Sequence, residues 1–231
     1  MIWLVSLISQ LLFGFELSFF AFSSKFEFFT IFCIGIPIGF SISALAFYLI
    51  SFFFRFNSLC LLIHTGALSF IGYTLMFFRL RKKQKLFPKN PEIPNIFYFV
   101  LSVVLALFIV PPMYLPNSND PKDKTVFAHQ SFTGDIIEEI GLMNSFYHGC
   151  NSGFMNLFKI RHPVCYKCHA RSKWLTALHS AMLLVGYSSY RQALIVPSIF
   201  MFISICYLML HLSSFFLKKN VFLSVLSLIL F

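Results

Sequence analysis

The chain has 231 residues, of which 58% are hydrophobic and 11% are charged, and its mean hydropathy is +0.80. Because soluble domains carry about 25% charged residues, this composition excludes an ordinary soluble domain and predicts an integral membrane protein. The net charge of +10 would suggest a nucleic-acid partner in a soluble protein. In a multi-span protein basic residues concentrate in cytoplasmic loops, so we interpret the charge as topology and expect no nucleic acid.

The apolar runs predict an all-α, polytopic transmembrane bundle of six or seven spans, since a bilayer core requires about 20 apolar residues per helix. Six candidate spans lie at residues 1–22, 27–54, 58–79, 96–115, 174–189 and 193–216. A seventh begins at Val221 and stops at Phe231 after 11 residues, which is short of a full crossing. Either this last helix is a short membrane-dipping tail or, as we expect, the chain is the N-terminal portion of a longer protein.

Breaks between these runs predict two membrane units joined by a basic linker. Residues 1–80 form a three-helix unit, residues 81–95 form a Pro-containing linker, and residues 96–231 form the second unit with a long loop over 116–173. The stretch GIPIGF places Gly35 and Gly39 one helical turn apart beside Pro37. Small residues at this spacing predict close approach of another helix.

The positive-inside rule orients these spans. The linker and its flanks carry six basic residues in a short stretch, and we therefore place it in the cytoplasm. Counting spans forward puts the 116–173 loop on the luminal or extracellular side and returns Tyr187 to Arg191 to the cytoplasm. Lys218 and Lys219 then fall outside, against the rule. The expected location is a multi-pass protein of the endoplasmic reticulum or the plasma membrane.

Five of the eight acidic residues lie in the long outer loop: Asp120, Asp123, Asp135, Glu138 and Glu139. The first two lie in PNSNDPKDK, a composition typical of solvated turns. The next stretch, TGDIIEEIGLMNSFYHG, has apolar residues at helical spacing and predicts an amphipathic helix at the membrane surface. Helix capping by Asp135 and a solvated face bearing the two glutamates are the structural interpretations of these acids.

A carboxylate beside the outer end of a span is also placed to act as a general base toward an acceptor hydroxyl. The stretch GDIIEE, followed by a helix with NS and HG, resembles the first outer loop of the GT-C class of polytopic glycosyltransferases. The turn YSSYRQ is similar to the short turns of that class. The resemblance implies a polyprenyl-phosphate-linked sugar donor, Asp135 as the catalytic base, Glu138 as the alternative base and Glu139 in support.

A basic run precedes residue 174 and has two interpretations. Its members are Lys159, Arg161, His162, Lys167, Arg171 and Lys173. Long basic side chains at a membrane boundary reach up to lipid headgroups, which requires no specific ligand. Alternatively, Arg161, Lys167 and Arg171 bind the phosphate of a lipid-linked donor, for which a guanidinium offers two parallel hydrogen bonds.

Cysteines and histidines supply the remaining candidates. Cys33, Cys60 and Cys206 lie within apolar runs and are expected to be small core residues. The outer loop holds Cys150 and CYKCH, in which Cys165, Cys168 and His169 match the c-type haem attachment pattern.

On an oxidising face we expect a disulfide from Cys150 to Cys165 or Cys168 first, stabilising a loop of about 15 residues by ~3 kcal/mol. Zinc bound by these thiols with His148 and His169 comes next, then haem, then free thiols. The transferase hypothesis itself requires no cofactor. His179, inside an apolar run, either bonds to a neighbouring helix or faces a wet cavity.

Three functions remain open on this basis. The first is a lipid-linked sugar transferase, or part of one, with the lipid bilayer and a polyprenyl-phosphate sugar as its partners. The second is a membrane haem or metal protein that uses CYKCH. The third is a non-enzymatic multi-pass protein in which the acids cap a helix and the cysteines pair.

Overall fold

The computed structural model describes residues 2–22, 26–81, 92–113, 133–147, 174–217 and 220–230, with the side chains of 133–139, 174 and 229–230 excepted. The described residues form eight α-helices and no strand, which confirms the all-α prediction. The helices are α1 (Ile2–Phe22), α2 (Phe28–Phe54), α3 (Ser58–Arg81), α4 (Ile93–Met113), α5 (Thr133–Tyr147), α6 (Trp174–Val185), α7 (Tyr190–Phe216) and α8 (Val221–Leu230).

Five of these helices are long and apolar enough to cross a bilayer: α1, α2, α3, α4 and α7, with 21 to 27 residues each. The chain is therefore an integral, multi-pass membrane protein whose helices form a bundle. Two further apolar runs form shorter helices, because α6 has 12 residues and α8 has 10. At 1.5 Å per residue α6 is about 18 Å long, against a hydrocarbon core of about 30 Å. The run at 174–189, predicted as a full span, thus forms a short helix and a turn.

Side-chain caps define where several helices begin. The Ser189 hydroxyl accepts a hydrogen bond from the Gln192 amide, and the Gln192 side chain accepts one from the Ser189 amide, which is a complete capping box for α7. Asn57 accepts from the Cys60 amide at the start of α3, and Asn220 accepts from the Leu223 amide at the start of α8. These short polar side chains satisfy amide groups that have no partner within the first helical turn.

The glycines of GIPIGF bring α1 and α2 together, as the sequence predicts. A Cβ atom added to Gly35 would lie 2.9 Å from the backbone of Gly14 on α1, and one added to Gly14 would lie 2.8 Å from the Gly39 Cα atom. No real side chain tolerates such contacts. The close approach of α1 and α2 therefore depends on glycine at all three positions.

The helices alternate in direction and give the bundle two distinct ends. At one, which we call the Arg79 end, α1 and α3 both finish, and Arg79 Nη2 donates to Glu16 Oε1 at 2.6 Å. At the opposite one, the Trp3 end, α1 begins and the Trp3 amide donates to the carbonyl of Gly186 at 3.2 Å. The basic linker follows α3 and therefore leaves the bundle from the Arg79 end.

The contact between Trp3 and Gly186 overturns part of the predicted topology. It places the turn after α6 at the Trp3 end, so the prediction that Tyr187 to Arg191 share the side of the basic linker is wrong. The physical reason is that α6, with 12 residues, is too short to cross the bilayer, although its composition is that of a span. Apolar composition alone does not distinguish a membrane-crossing helix from a short helix buried among other helices.

The orientation of α7 follows from the same correction. Near the end of α7, His211 Nδ1 donates to Asn95 Oδ1 at 3.2 Å, and Asn95 lies at the start of α4. Helix α7 therefore runs from the Trp3 end to the Arg79 end. Lys218 and Lys219, which follow α7 in the chain, come directly after a helix that finishes on the side of the basic linker. The exception to the positive-inside rule that the sequence predicted is thereby removed.

The largest hydrophobic core lies in the Trp3 half and joins the N-terminal helices to α5, α6 and α7. Its buried members include Phe47, Leu61, Phe146, Leu178 and Leu194, which come from five different helices. A second core, around Tyr98, Tyr207 and Leu210, lies nearer the Arg79 end and receives α8. The predicted units 1–80 and 96–231 thus pack directly on each other, and the predicted boundary within the linker stays a prediction.

Candidate functional site

The predicted catalytic carboxylates lie on α5, which forms as the sequence predicts. Of its apolar residues, Leu142, Met143 and Phe146 are buried against the core that contains α6, and Ile140 is partly buried. The described half of the helix therefore packs its apolar side chains on the bundle, and the amphipathic character of the whole helix stays a prediction. Asp135, Glu138 and Glu139 lie in its first half, where the side chains are outside the described residues. Their roles as base, alternative base and supporting group stay predictions.

The other predicted site residues in the outer loop also lie outside the described residues. They are the phosphate-binding candidates Arg161, Lys167 and Arg171 and the disulfide or metal candidates Cys150, Cys165, Cys168 and His169, with Asp120 and Asp123. Disulfide, zinc and haem therefore stay open alternatives. Within the described residues no group of three His, Cys, Asp or Glu side chains could hold a metal ion. Cys33, Cys60 and Cys206 are buried free thiols, as expected of small core residues.

A buried hydrogen-bonded chain connects α6 to α1 in the Trp3 half. His179 Nε2 donates to Gln10 Oε1 at 2.6 Å, and Gln10 Nε2 donates to Ser6 Oγ at 3.0 Å. The ring of Phe40 stacks on the imidazole with the two centroids 4.6 Å apart. Since Nε2 carries the donated hydrogen, the neutral ring keeps its lone pair on Nδ1. The prediction that His179 bonds to a neighbouring helix is confirmed.

A second buried histidine lies on α3. The hydroxyl of Ser43 and Nε2 of His64 are 3.2 Å apart, and the same hydroxyl lies 4.0 Å from the Met182 sulfur. His64 is 1% exposed, and its Nδ1 atom has no hydrogen-bond partner within the described part of the chain. Polar groups that are buried in an apolar interior are normally paired, so an imidazole with one unpaired nitrogen departs from that rule.

A cavity of about 270 Å³ adjoins His179 between α2, α6 and α7. Five of its ten described lining residues are polar and five are apolar. The polar ones are Ser41, Thr176, His179, Ser180 and Ser198, and the apolar ones are Phe40, Leu175, Leu194, Pro197 and Met201. None of these residues carries a formal charge. His179 is 4% exposed and therefore meets the cavity through a small part of its ring. We call this space the His179 cavity. The expectation that His179 faces a wet cavity stays a prediction.

The Arg79 end holds a buried ion pair between Glu16 and Arg79. Glu16 and Arg79 are 2% and 4% exposed in their side chains, and the guanidinium also lies 4.4 Å from the ring centroid of Phe19. An isolated charge at such depth would be very costly, whereas a hydrogen-bonded pair with an aromatic neighbour is tolerated. This arrangement ties α1 to α3 and offers no open ligand position.

A smaller polar cavity of about 120 Å³ also lies at the Arg79 end, between α4 and α7. Asn95 Nδ2 donates to Glu27 Oε2 at 2.6 Å, and the Glu92 amide donates to the same oxygen at 3.3 Å. Asn95 in turn accepts from His211 at 3.2 Å. Since Glu27 already accepts two hydrogen bonds, this arrangement links the starts of α2 and α4 to the end of α7 as a structural connection.

Sequence reasoning missed the partners that complete these clusters. Gln10 and Ser6 lie in a run that reads as a plain apolar span, and His64 lies in another. The available signal was a polar residue recurring every three or four positions in α1, as Ser6, Ser9 and Gln10 do, which marks a face turned away from lipid.

Comparison of the chain with protein-family models, with curated proteins and with solved structures found no match.

Proposed function

We propose that the protein is a membrane transferase that moves a sugar from a polyprenyl-phosphate-linked donor to an acceptor hydroxyl at the Trp3 side of the bilayer. One observation supports the proposal above the others. Helix α5, which carries Asp135, Glu138 and Glu139, packs on α6, and α6 forms one wall of the His179 cavity. Predicted acid–base groups and a membrane-depth cavity therefore belong to neighbouring elements at one end of the bundle.

The proposed reaction follows from the chemistry of a sugar phosphate. Asp135 takes the proton of the acceptor hydroxyl, and the oxygen forms a bond to the anomeric carbon of the sugar. The bond from that carbon to the phosphate oxygen breaks, and polyprenyl phosphate leaves with the electron pair. Arg161, Lys167 and Arg171 would balance the charge on the leaving phosphate. The compartment is the endoplasmic reticulum or the plasma membrane.

The topology of the structure is compatible with this arrangement. Helix α4 leads away from the Arg79 end, and α5 packs in the core of the Trp3 half together with α6. With the basic linker in the cytoplasm, the predicted carboxylates and basic run share the luminal or extracellular side. A lipid-linked donor presents its phosphate at the membrane surface, which is the depth this chemistry needs.

The test is sugar transfer by the purified chain in proteoliposomes supplied with a polyprenyl-phosphate sugar and an alcohol acceptor. We expect Asp135→Asn to reduce turnover by about 100-fold or more, since general-base catalysis contributes on this order. Asp120→Asn, in the same outer loop, serves as the matched control and should leave turnover unchanged. Absence of transfer by the wild-type chain, or equal turnover in wild type and Asp135→Asn, would contradict the proposal.

A further inference from the structure

The lining of the His179 cavity restricts the chemistry of any ligand it accepts. Among the described residues that line it, none is Asp, Glu, Lys or Arg. A phosphate or an ammonium group placed there would gain no counter-charge from this described lining, while the loss of its hydration would cost several kcal/mol in an apolar setting. The described lining therefore favours an uncharged ligand over a charged lipid headgroup.

The imidazole supplies a single directional contact. Because His179 Nε2 is committed to Gln10, which is in turn held by Ser6, the ring has one orientation and one tautomer. The hydrogen bond to Gln10 uses Nε2, so the lone pair of the neutral ring lies on Nδ1. A neutral imidazole nitrogen of this kind accepts a hydrogen from a hydroxyl. It offers nothing to an ether, an ester or an alkyl chain that lacks a donor.

The size and position of the cavity complete the description of the ligand. A volume of about 270 Å³ is at the lower limit of small-molecule pockets, so the cavity accommodates the hydroxyl-bearing end of a lipid rather than a whole lipid. Its walls are formed by the spanning helices α2 and α7 and by α6. A ligand that reaches the cavity through the hydrocarbon layer is itself soluble in that layer.

From these three observations we infer that the His179 cavity binds an uncharged long-chain alcohol, whose hydroxyl donates to His179 Nδ1 while its first carbons contact Phe40, Leu194 and Met201. The binding site stands on the geometry of the cavity alone. Only the use of this alcohol as the sugar acceptor rests on the proposed function. His179 is a binding residue in this inference, and the proton transfer remains assigned to Asp135.

The experiment is photolabelling of the purified chain in nanodiscs with a long-chain alcohol that carries a diazirine near the hydroxyl end, without any sugar donor. We expect saturable labelling on peptides that include residues 174–201. Unlabelled hexadecanol should compete about 3- to 10-fold better than its methyl ether or its phosphate monoester, since one hydrogen bond separates the first pair. Equal competition by alcohol and ether would overturn the inference.

Variants separate binding from folding. His179→Ala should weaken labelling by about 3- to 10-fold. Because this change also breaks the bond to Gln10, Ser41→Leu is the second variant, and it should reduce labelling by filling the cavity while leaving that bond intact. His211→Ala, at the Arg79 end, is the matched control and should label like wild type. Wild-type labelling in Ser41→Leu would overturn the inference.

The two proposals fail independently. If labelling is hydroxyl-specific and the wild-type chain transfers no sugar, the proposed function is wrong and the alcohol site stands. If transfer depends on Asp135 and labelling is absent or nonspecific, the alcohol site is wrong and the proposed function stands.

Discussion

The two ends of the bundle differ in the formal charge of their buried polar groups. At the Arg79 end the buried groups with formal charge are committed to partners, as in the ion pair of Glu16 and Arg79 and the acceptor role of Glu27. In the Trp3 half the buried polar groups carry no formal charge, and Nδ1 of His64 has no hydrogen-bond partner among the described residues.

The difference indicates which end is built for structure and which for binding. A buried charge must be paired for its helix to stay in the membrane, so such an ion pair indicates a structural contact that holds two helices together. A buried neutral acceptor without a partner destabilises the fold moderately, because it has lost its hydrogen bond to water. A ligand that supplies a donor restores that hydrogen bond. The Trp3 half, with its cavity, fits the second description.

The largest expected effect concerns the topology on which the comparison depends. In a background lacking the native cysteines, Arg191→Cys and Lys85→Cys should react with a membrane-impermeant maleimide from opposite faces of sealed vesicles. The reason is that α6 does not cross the bilayer, so the turn after it lies at the Trp3 end. Mass shift on a gel reports the labelling. Reaction of both cysteines from the same face would show that the assignment of the two ends is wrong.

The next effect concerns the ion pair between Glu16 and Arg79 at the Arg79 end. Arg79→Ala should lower the free energy of unfolding by about 3–5 kcal/mol, because it leaves the Glu16 carboxyl buried without its counter-charge. Unfolding in mixed micelles measures the loss. The control is the double variant Glu16→Gln with Arg79→Gln, which removes both charges and should lose less. If the single variant were as stable as wild type, the pair would not fasten α1 to α3.

A smaller effect is expected at the glycine contact shared by both ends. Gly14→Ala should destabilise the bundle by about 1–3 kcal/mol, because the new methyl group would lie 2.8 Å from the Gly39 Cα atom and force α1 from α2. Gly66→Ala is the matched control, since nothing lies within 4 Å of a Cβ atom at that position. Thermal unfolding compares the two. Equal loss from both changes would indicate a general effect of alanine rather than the close approach.

The smallest effect distinguishes an unpaired hydroxyl from a paired one in the Trp3 half. Thr65→Val should change the free energy of unfolding by less than about 1 kcal/mol or stabilise the protein, because Thr65 Oγ1 is buried without a partner in the described residues. Ser43→Ala should cost more, since it leaves Nε2 of His64 without its partner. The same unfolding measurement ranks them. A larger loss from Thr65→Val would show that its hydroxyl has a role in stability.

Several local features followed from the residues alone. The glycines of GIPIGF predicted a close helix contact because the absence of Cβ atoms permits it wherever the partner lies. The apolar spacing in TGDIIEEIGLMNSFYHG predicted a helix because periodicity acts within one segment, and α5 forms there. The partner of the glycines, Gly14 on α1, was not predictable, because no local signal names the opposing helix.

The candidate site divides in the same way. The sequence marked His179 as a buried histidine with either a helix partner or a cavity, and both features are present. It did not indicate Gln10 as the partner or α2 and α7 as the walls. These contacts join residues far apart in the chain, and only packing brings them together.

By itself the sequence determined that the chain lies in the membrane, that it is helical, and which segments carry the basic and acidic residues, because composition and periodicity act through the bilayer as solvent. The tertiary structure decided how many runs are long enough to cross, on which side the turn after α6 lies, and which buried polar groups meet. Those outcomes depend on the free energy of helix packing. The apolar surface of the 12-residue helix α6 is buried against neighbouring helices instead of against lipid.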